Sequence, residues 1–391
     1  MKKIAILLIL LFSISGCSSN VQSNTENHIT DIPTSHTTEK ALTTKTHDTK
    51  YISTTDVKKL NLPHEANILF FDDTQIIYYI DEWVDSGDFL NFYLYKYTFA
   101  DDTHIEVINR SNFLYISGRI AKHDENLYIP CVFYNNNNEI LEFNLTIDKV
   151  STIRNWTSNI FICELYAENN FLYVFEISPD SEVNYSVTEL SLSNSNFSEK
   201  EIISRKYEDG NGHNISCIAL DNNLIYLYIH EFIDYSKFAT HIYTYNILNG
   251  ETNKILVDTN ITEHLNNDTV ISIFVKENTL VLQTLNGQSF VGKFVNDNLI
   301  PINIPEVLHS GMHIRYSVLD APNTGNEYIY FATTNNQENN LFAFNYKKMK
   351  FTSLQIDFNS KMLNHYFTNE NNNIIMKSID ETSDYFLIEQ Y

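Results

Sequence analysis

A short run of apolar and aromatic residues recurs along this chain after breaks rich in Asn and Asp, and this recurrence most constrains the fold. Each run has the length and the β-branched or aromatic composition of a β-strand. The third residues of successive runs are 45 to 55 positions apart. The runs are Ile76-Ile77-Tyr78, Asn126-Leu127-Tyr128, Phe171-Leu172-Tyr173, Leu224-Ile225-Tyr226, Thr279-Leu280-Val281, Tyr328-Ile329-Tyr330 and Asn373-Ile374-Ile375.

A second set of runs follows the first and alternates in character from residue to residue. Examples are Tyr93-Leu94-Tyr95-Lys96-Tyr97 and Leu341-Phe342-Ala343-Phe344-Asn345. A period of two indicates strands with one buried face. A repeat of about 40 to 50 residues with four short strands is the size of a propeller blade. The sequence therefore predicts an all-β fold, a seven-bladed β-propeller of four-stranded blades.

The two ends of the chain predict how such a ring closes. The last unit stops at Tyr391, after its third strand, while the segment from Asp56 to Pro63 resembles a fourth strand without a unit of its own. We expect this N-terminal strand to complete the seventh blade and close the ring, which removes exposed sheet edges. A pair of immunoglobulin-like sandwiches would show similar strand spacing but would not explain the split repeat.

The first residues have the pattern of a secretion signal. Met1-Lys2-Lys3 is cationic, and the apolar run from Ile4 to Ile14 is too short to span a membrane. The run ends in Ile14-Ser15-Gly16-Cys17, which resembles the lipobox of bacterial lipoproteins. That resemblance implies cleavage after Gly16 and a lipid on Cys17, which would anchor the protein at the outer face of the bacterial cytoplasmic membrane. An ordinary secretory signal with a chance cysteine is the alternative.

Three segments follow from these patterns. We predict a lipoprotein signal peptide at 1–16, a flexible tether rich in Ser, Thr and Asn at 17–50, and a β-propeller domain at 51–391. The tether has too few large apolar side chains to offset the entropy lost on ordering. As a whole the chain resembles surface lipoproteins of low-GC bacteria that carry a divergent β-propeller, which implies a fold and a location but no substrate.

Charge and composition exclude several functions. The chain has 49 Asp and Glu against 26 Lys and Arg, a net charge of -23, which repels nucleic acid. It has only two tryptophans, which argues against tryptophan-docked and WD-type repeats. It also lacks a nucleophile elbow and a phosphate-binding glycine loop. We therefore predict no nucleic-acid partner and no cofactor.

The cysteines and a pair of histidines are the remaining candidates for disulfides or metal ligands. Besides Cys17, the chain has Cys131, Cys163 and Cys217, each in an apolar run. Buried free thiols are the expectation, although an extracytoplasmic setting permits disulfides and leaves their pairing open. The segment His309–His313 encloses Ser-Gly-Met, which favours a loop, and no metal site is predicted.

Two predicted loops combine carboxylates with aromatic side chains. Loops between second and third strands share the face of a propeller where ligands usually bind. Such groups can hold a cation, a sugar or a basic peptide, and the alternative is a solvated hairpin in an acidic protein. The candidate ligand-binding residues are Trp83, Asp85 and Asp88 in the first unit and Glu231, Asp234 and Tyr235 in the fourth.

Three classes of function remain open. The missing catalytic motifs favour a membrane-anchored binding or scaffold protein, held through Cys17 and presented on its tether to a protein or glycan partner. The alternative is a glycan-active enzyme, a hydrolase or lyase at the cell surface, which predicts acidic side chains at the channel mouth. A structural or sensory subunit of a membrane complex is the third interpretation.

Overall fold

The structure is a computed structural model, and its described residues all belong to one compact unit of the chain, Ala41–Tyr391. None of the helices among these residues is long and apolar enough to span a membrane. The described residues are 48–52, 57–83, 90–134, 138–156, 161–178, 184–193, 197–206, 213–234, 237–256, 261, 270–284, 288–295, 298–305, 318–319, 327–335, 338–356, 363–369, 371–378 and 384–389.

These residues form 29 β-strands arranged in six sheets. Sheet 1 has β3 (Asn67–Phe71), β4 (Gln75–Trp83), β5 (Leu90–Thr98), β6 (Thr103–Ile116), β7 (Ala121–His123), β8 (Asn126–Phe133), β9 (Asn138–Asn144) and β10 (Lys149–Trp156). Sheet 2 has β11 (Phe161–Glu168), β12 (Phe171–Ser178), β13 (Asn184–Ser191) and β14 (Glu199–Lys206). Sheet 3 has β15 (His213–Asp221), β16 (Leu224–Asp234), β17 (Lys237–Asn246) and β18 (Thr252–Leu256).

The remaining sheets include two strands from the N-terminal side of the chain. Sheet 4 has β19 (Val270–Lys276), β20 (Thr279–Thr284), β21 (Ser289–Val295) and β22 (Asn298–Pro301). Sheet 5 has β23 (Val318–Leu319), β24 (Tyr328–Asn335), β25 (Glu338–Asn345) and β26 (Lys350–Ile356), joined by β1 (Asp48–Ile52). Sheet 6 has β27 (Leu363–Thr368), β28 (Ile374–Ser378) and β29 (Tyr385–Ile388), joined by β2 (Val57–Leu60).

Both predicted sets of strands are confirmed. The first set of apolar runs lies in β4, β8, β12, β16, β20, β24 and β28, and the second set lies in β5, β9, β13, β17, β21, β25 and β29. Each pair of runs therefore forms the central hairpin of one repeat. The apolar composition follows from this position, because central strands pack against neighbours on both faces.

Asparagine makes two of the tight turns that precede these hairpins. Asn169 and Asn170 join β11 to β12, and Asn222 and Asn223 join β15 to β16. All four have positive φ, between 51° and 64°. Two-residue turns of this hand match the twist of the flanking strands, and Asn tolerates the left-handed conformation better than most residues.

The N-terminal strand β2 is the outer strand of sheet 6, paired antiparallel with β29. Val57 lies opposite Ile388, and Leu60 lies opposite Tyr385. Beside this pairing, the hydroxyl of Tyr385 donates to the carbonyl of Ala66. The segment Asp56–Pro63 was predicted to pair with the last unit, and the pairing of β2 with β29 agrees with that prediction.

Strand β1 begins before the predicted boundary between tether and propeller domain. Asp48–Ile52 pairs in parallel with β26, so residues 48–50, assigned to the tether from their composition, lie in a strand. Its described side chains are exposed. Pairing through the backbone alone requires no apolar pattern, which is why composition did not reveal this strand.

Strand β6 joins the first two repeats into one eight-stranded sheet. Its first part pairs with β5, and its last part, from Phe113 to Ile116, pairs with β8. Asn112, with a φ of 62°, lies where the pairing passes from one neighbour to the other. This residue provides the bend that lets a single 14-residue strand serve two repeats.

Clusters of buried apolar side chains join the sheets in chain order. One cluster joins sheet 1 to sheet 2, and others join sheets 2 and 3, 3 and 4, 4 and 5, and 5 and 6. A further cluster packs Ile375 and Leu387 of sheet 6 against Ile76 and Tyr78 of sheet 1. The core of the described residues is therefore a series of interfaces between sheets, and it includes one between the last sheet and the first.

Candidate functional site

Exposed apolar side chains collect at one end of sheet 1. We define the apolar rim as Trp83, Leu114, Tyr115 and Tyr134, which are four of the nine large hydrophobic residues that are exposed in the described part of the chain. Trp83 is the most exposed of the four, at 73%. Exposed apolar side chains scattered singly are ordinary on protein surfaces, whereas these four lie near one another along the strands of sheet 1.

Strand register places the rim residues at the same end of the sheet. Trp83 lies opposite Leu90, which lies opposite Phe113, which in turn lies opposite Phe133. Leu114 and Tyr115 follow Phe113 along β6, and Tyr134 follows Phe133 directly after β8, so the four residues share one end of the sheet while consecutive residues point to opposite faces of it. Since neighbouring strands are about 4.8 Å apart, the row across these four strands is about 14 Å wide.

A cluster of aromatic side chains supports the rim from below. Phe113 is buried, with its ring centroid 4.7 Å from that of Phe92 and 5.9 Å from that of Phe133. Tyr79 packs edge-on against Phe113 at 6.1 Å. Burial and the nearby Asp81 carboxylate raise the pKa of Tyr79 to about 12, so its hydroxyl stays neutral at physiological pH. The rim thus rests on rigid, closely packed strands.

Polar and charged groups flank the rim. Asp81 and Glu82 precede Trp83 on β4 and are exposed, and the Asp81 carboxylate accepts a hydrogen bond from the Asn67 side chain at 3.4 Å. Arg110, also exposed, lies on β6 opposite Phe92. Charged side chains therefore lie on the strands beside the exposed apolar residues.

The residues proposed from sequence lie at equivalent places in two sheets. Trp83 is the last residue of β4, and Glu231 and Asp234 lie in the last part of β16, opposite Ala239 and Lys237. Both strands are the second strand of their repeat.

The other proposed residues, Asp85, Asp88 and Tyr235, lie outside the described residues, as does the segment His309–His313. Of the six candidates, the structure describes Trp83 in sheet 1 and the backbone positions of Glu231 and Asp234 in sheet 3.

Three rim residues were not found from the sequence. Leu114 and Tyr115 belong to an apolar run that reads as an ordinary buried strand, and Tyr134 follows a strand whose residues are mostly buried. Their exposure depends on β6 crossing from one repeat to the next. The asparagine at 112 in the middle of that run was the available signal.

The described residues contain no group of three or more His, Cys, Asp or Glu arranged to hold a metal ion. Cys131 is a buried free thiol, which confirms the expectation for that residue. Burial raises the pKa of its thiol far above the usual value, so it is inert as a nucleophile.

Carboxylates at the ends of two first strands have a structural role. Asp221, the last residue of β15, accepts a hydrogen bond from the backbone N–H of Glu277 in sheet 4 at 2.8 Å. In the same way, Glu168 at the end of β11 accepts from the backbone N–H of Asn223 in sheet 3 at 3.1 Å. Each carboxylate therefore caps the turn of the next sheet and joins neighbouring sheets.

Stability should depend on pH through Asp221. Burial raises the pKa of this carboxyl above its usual value near 4, and Lys276 opposes the shift. A group whose pKa is raised by folding stabilises the fold most below its unfolded pKa, and this contribution is lost as pH rises through the folded pKa. Asp221→Asn keeps an oxygen that accepts the hydrogen bond from the Glu277 N–H. We therefore expect the free energy of unfolding of the variant to increase relative to that of the parent chain as the pH rises from about 4 to about 7.

Urea unfolding of both chains at the two pH values measures this difference. A difference in the free energy of unfolding that stayed constant, or that moved against the variant with rising pH, would show that the Asp221 charge is not the cause.

Comparison with known protein families and with curated proteins found no match. Among solved structures, the β-propeller domain of the Trilobed protease from Pyrococcus furiosus has a TM-score of 0.54 and 10% identity, over 83% of this chain and 96% of that one. An oligogalacturonate lyase from Vibrio parahaemolyticus has a TM-score of 0.54 and 12% identity, over 85% and 92%.

The β-propeller domain of Cps50 (Swd1) from Myceliophteria thermophila has a TM-score of 0.50 and 8% identity, over 85% of this chain and 98% of that one. At such low identity these likenesses show the fold alone. The chain has an all-β fold similar to that of β-propellers.

Proposed function

We propose that this protein is a non-catalytic binding module that captures a protein or glycan partner through its apolar rim at the bacterial cell surface. The observation that carries the proposal is the grouping of Trp83 with three other exposed apolar residues at one end of sheet 1. Burying such side chains against a partner yields about 25 cal/mol per Å² of apolar area. In a chain with a net charge of -23, an apolar group of this kind stands out from an otherwise solvated surface.

The proposed architecture is a closed ring of seven four-stranded blades. Two of these blades share sheet 1 through β6, and sheets 2 to 6 supply one blade each. Support comes from the core cluster between sheets 6 and 1, and from the place of β2 at the outer edge of sheet 6. A closed ring makes the rim rigid, which reduces the entropy lost on binding.

The proposed location rests on the lipobox. Lipid on Cys17 would hold the chain at the outer face of the cytoplasmic membrane, and the tether would hold the folded part away from the bilayer. We expect Cys17→Ala to prevent lipid attachment and to move the protein from the membrane fraction to the medium. Cell fractionation with mass spectrometry of the N-terminal peptide measures this, and retention in the membrane fraction would contradict the lipid anchor.

Partner capture tests the rim. Full-length protein is recovered after mild crosslinking in its native cells, and both co-purified proteins and attached sugars are quantified. We expect Trp83→Ala with Tyr134→Ala to reduce the captured partner at least tenfold, because aromatic residues at the centre of an interface each contribute about 2 kcal/mol or more.

Leu248→Ala is the matched control, since Leu248 is 77% exposed but lies away from sheet 1, just after β17. Capture that is equal for the rim variant and the parent chain would show that the rim is not the binding surface. The chemical identity of the captured molecule, a protein or a sugar chain, would distinguish the two classes of partner.

A further inference from the structure

Sheet 5 carries one strand more than its repeat requires. Strand β1 pairs in parallel with β26 along five residue pairs, from Asp48 opposite Thr352 to Ile52 opposite Ile356. The outer strands β10, β14, β18 and β22 of the other sheets carry no such addition in the described part of the chain. The outer edge of β26 is therefore an edge that accepts an extended segment.

The described side chains of β1, those of residues 48–51, contribute little to its attachment. Asp48, Thr49, Lys50 and Tyr51 are exposed, with Tyr51 at 76%. None of the core clusters formed by the described residues contains a residue of β1. The Asp48 carboxylate forms an ion pair with Lys350, and both side chains are exposed, so this contact contributes little. A strand held in this way opens at low free energy compared with the core.

Release of β1 leaves an edge that favours re-pairing. The residues Phe351 and Leu354 of β26 are buried, so β26 stays fixed in sheet 5 when β1 departs. Its outer row of backbone N–H and C=O groups then has no strand beside it, which makes it a template for another extended segment. Lys350 remains next to the edge as a cation for an incoming acidic residue.

We propose that the outer edge of β26 is a strand-exchange site, and that its partner is the Asp48–Ile52 segment of a second copy of this chain. That segment already has the register, the parallel direction and the acidic residue that the edge accepts. Only residues 53–56 separate β1 from β2, and four residues span at most about 14 Å. Because this connection is short, a β1 strand seated on the β26 edge of a second copy holds its own β2 near that edge. Reciprocal exchange therefore places the outer edges of the two copies close together with two-fold symmetry.

Disulfide trapping between two single variants tests this proposal. Tyr51 lies opposite Gln355 in the register, and both side chains are exposed. One full-length preparation carries Tyr51→Cys and the other carries Gln355→Cys, and the two are mixed and then oxidised. The expected result is a disulfide-linked dimer, at a yield at least ten times that of the control mixture of Tyr51→Cys with Leu248→Cys, because Leu248 is also exposed but lies just after β17 in sheet 3.

A double variant with both substitutions in one chain completes the test, because it crosslinks within the chain wherever β1 pairs with its own β26. A dimer yield no higher than in the control mixture, together with a crosslink in the double variant, would show that β1 stays on its own sheet and would overturn the proposal. A double variant that fails to crosslink would overturn it as well, because the pairing itself would then be absent. Neither outcome depends on the apolar rim.

Discussion

Replacing Arg154 by alanine is expected to lower the free energy of unfolding by about 3 to 5 kcal/mol. Arg154 Nη1 in sheet 1 lies 2.7 Å from Glu176 Oε1 in sheet 2, and its Nε lies 3.1 Å from Glu199 Oε1. Glu176 is only 4% exposed and also accepts a hydrogen bond from the Thr188 hydroxyl. Removal of the guanidinium would leave this carboxylate buried without its cation, and the desolvation penalty of the charge would then be uncompensated.

Urea unfolding followed by circular dichroism measures the loss. Lys59→Ala is the matched control, because Lys59 also forms an ion pair, at 2.6 Å from Asp384, but its side chain is 62% exposed. Exposed pairs contribute about 0 to 1 kcal/mol. A loss for Arg154→Ala no larger than that of the control would contradict a buried ion pair that holds sheets 1 and 2 together.

A disulfide between positions 59 and 386 is expected to raise the free energy of unfolding by about 3 to 5 kcal/mol. Lys59 of β2 lies directly opposite Phe386 of β29. The crosslink of Lys59→Cys with Phe386→Cys closes a loop of 327 positions (386 minus 59), and a loop of that length removes much of the entropy of the unfolded chain. This variant tests whether the N-terminal strand completes the last sheet and closes the proposed ring.

The matched control is Lys58→Cys with Phe386→Cys. Successive residues of a strand point to opposite faces, so position 58 faces away from position 386 and no bond should form. Free-thiol titration and unfolding with and without reductant measure both results. If the variant at 59 and 386 forms no disulfide in the folded protein, β2 does not pair with β29 in solution.

The strand pattern was predictable because burial on two faces demands a run of large apolar side chains. Central strands such as β8 and β20 are buried along nearly their whole length, and their composition reveals them. The pairing of β2 with the last sheet was also predictable. The N-terminal segment resembles a fourth strand without a repeat of its own, and the last repeat lacks a fourth strand. In both cases the side chains carry the information.

Strand β1 and the crossing of β6 were not predictable from the sequence, because both depend on backbone geometry and pairing. Strand β1 pairs with β26 while its described side chains are exposed, so nothing in its composition distinguishes it from the tether. The crossing of β6 from one repeat to the next passes through Asn112, which has a positive φ that an apolar pattern does not reveal. Because the rim is a consequence of that crossing, only Trp83 among its residues was proposed from the sequence.

The measurement that tests the central claim most directly is site-specific photocrosslinking in native cells. A benzophenone amino acid is placed at position 83 of the full-length chain in one strain and at position 248 in another, since both side chains are exposed, Trp83 at 73% and Leu248 at 77%. If the apolar rim binds a partner, we expect a discrete crosslinked product, a protein or a sugar chain, from position 83 and none from position 248. No product from position 83, or the same products from both positions, would contradict a binding role for the apolar rim.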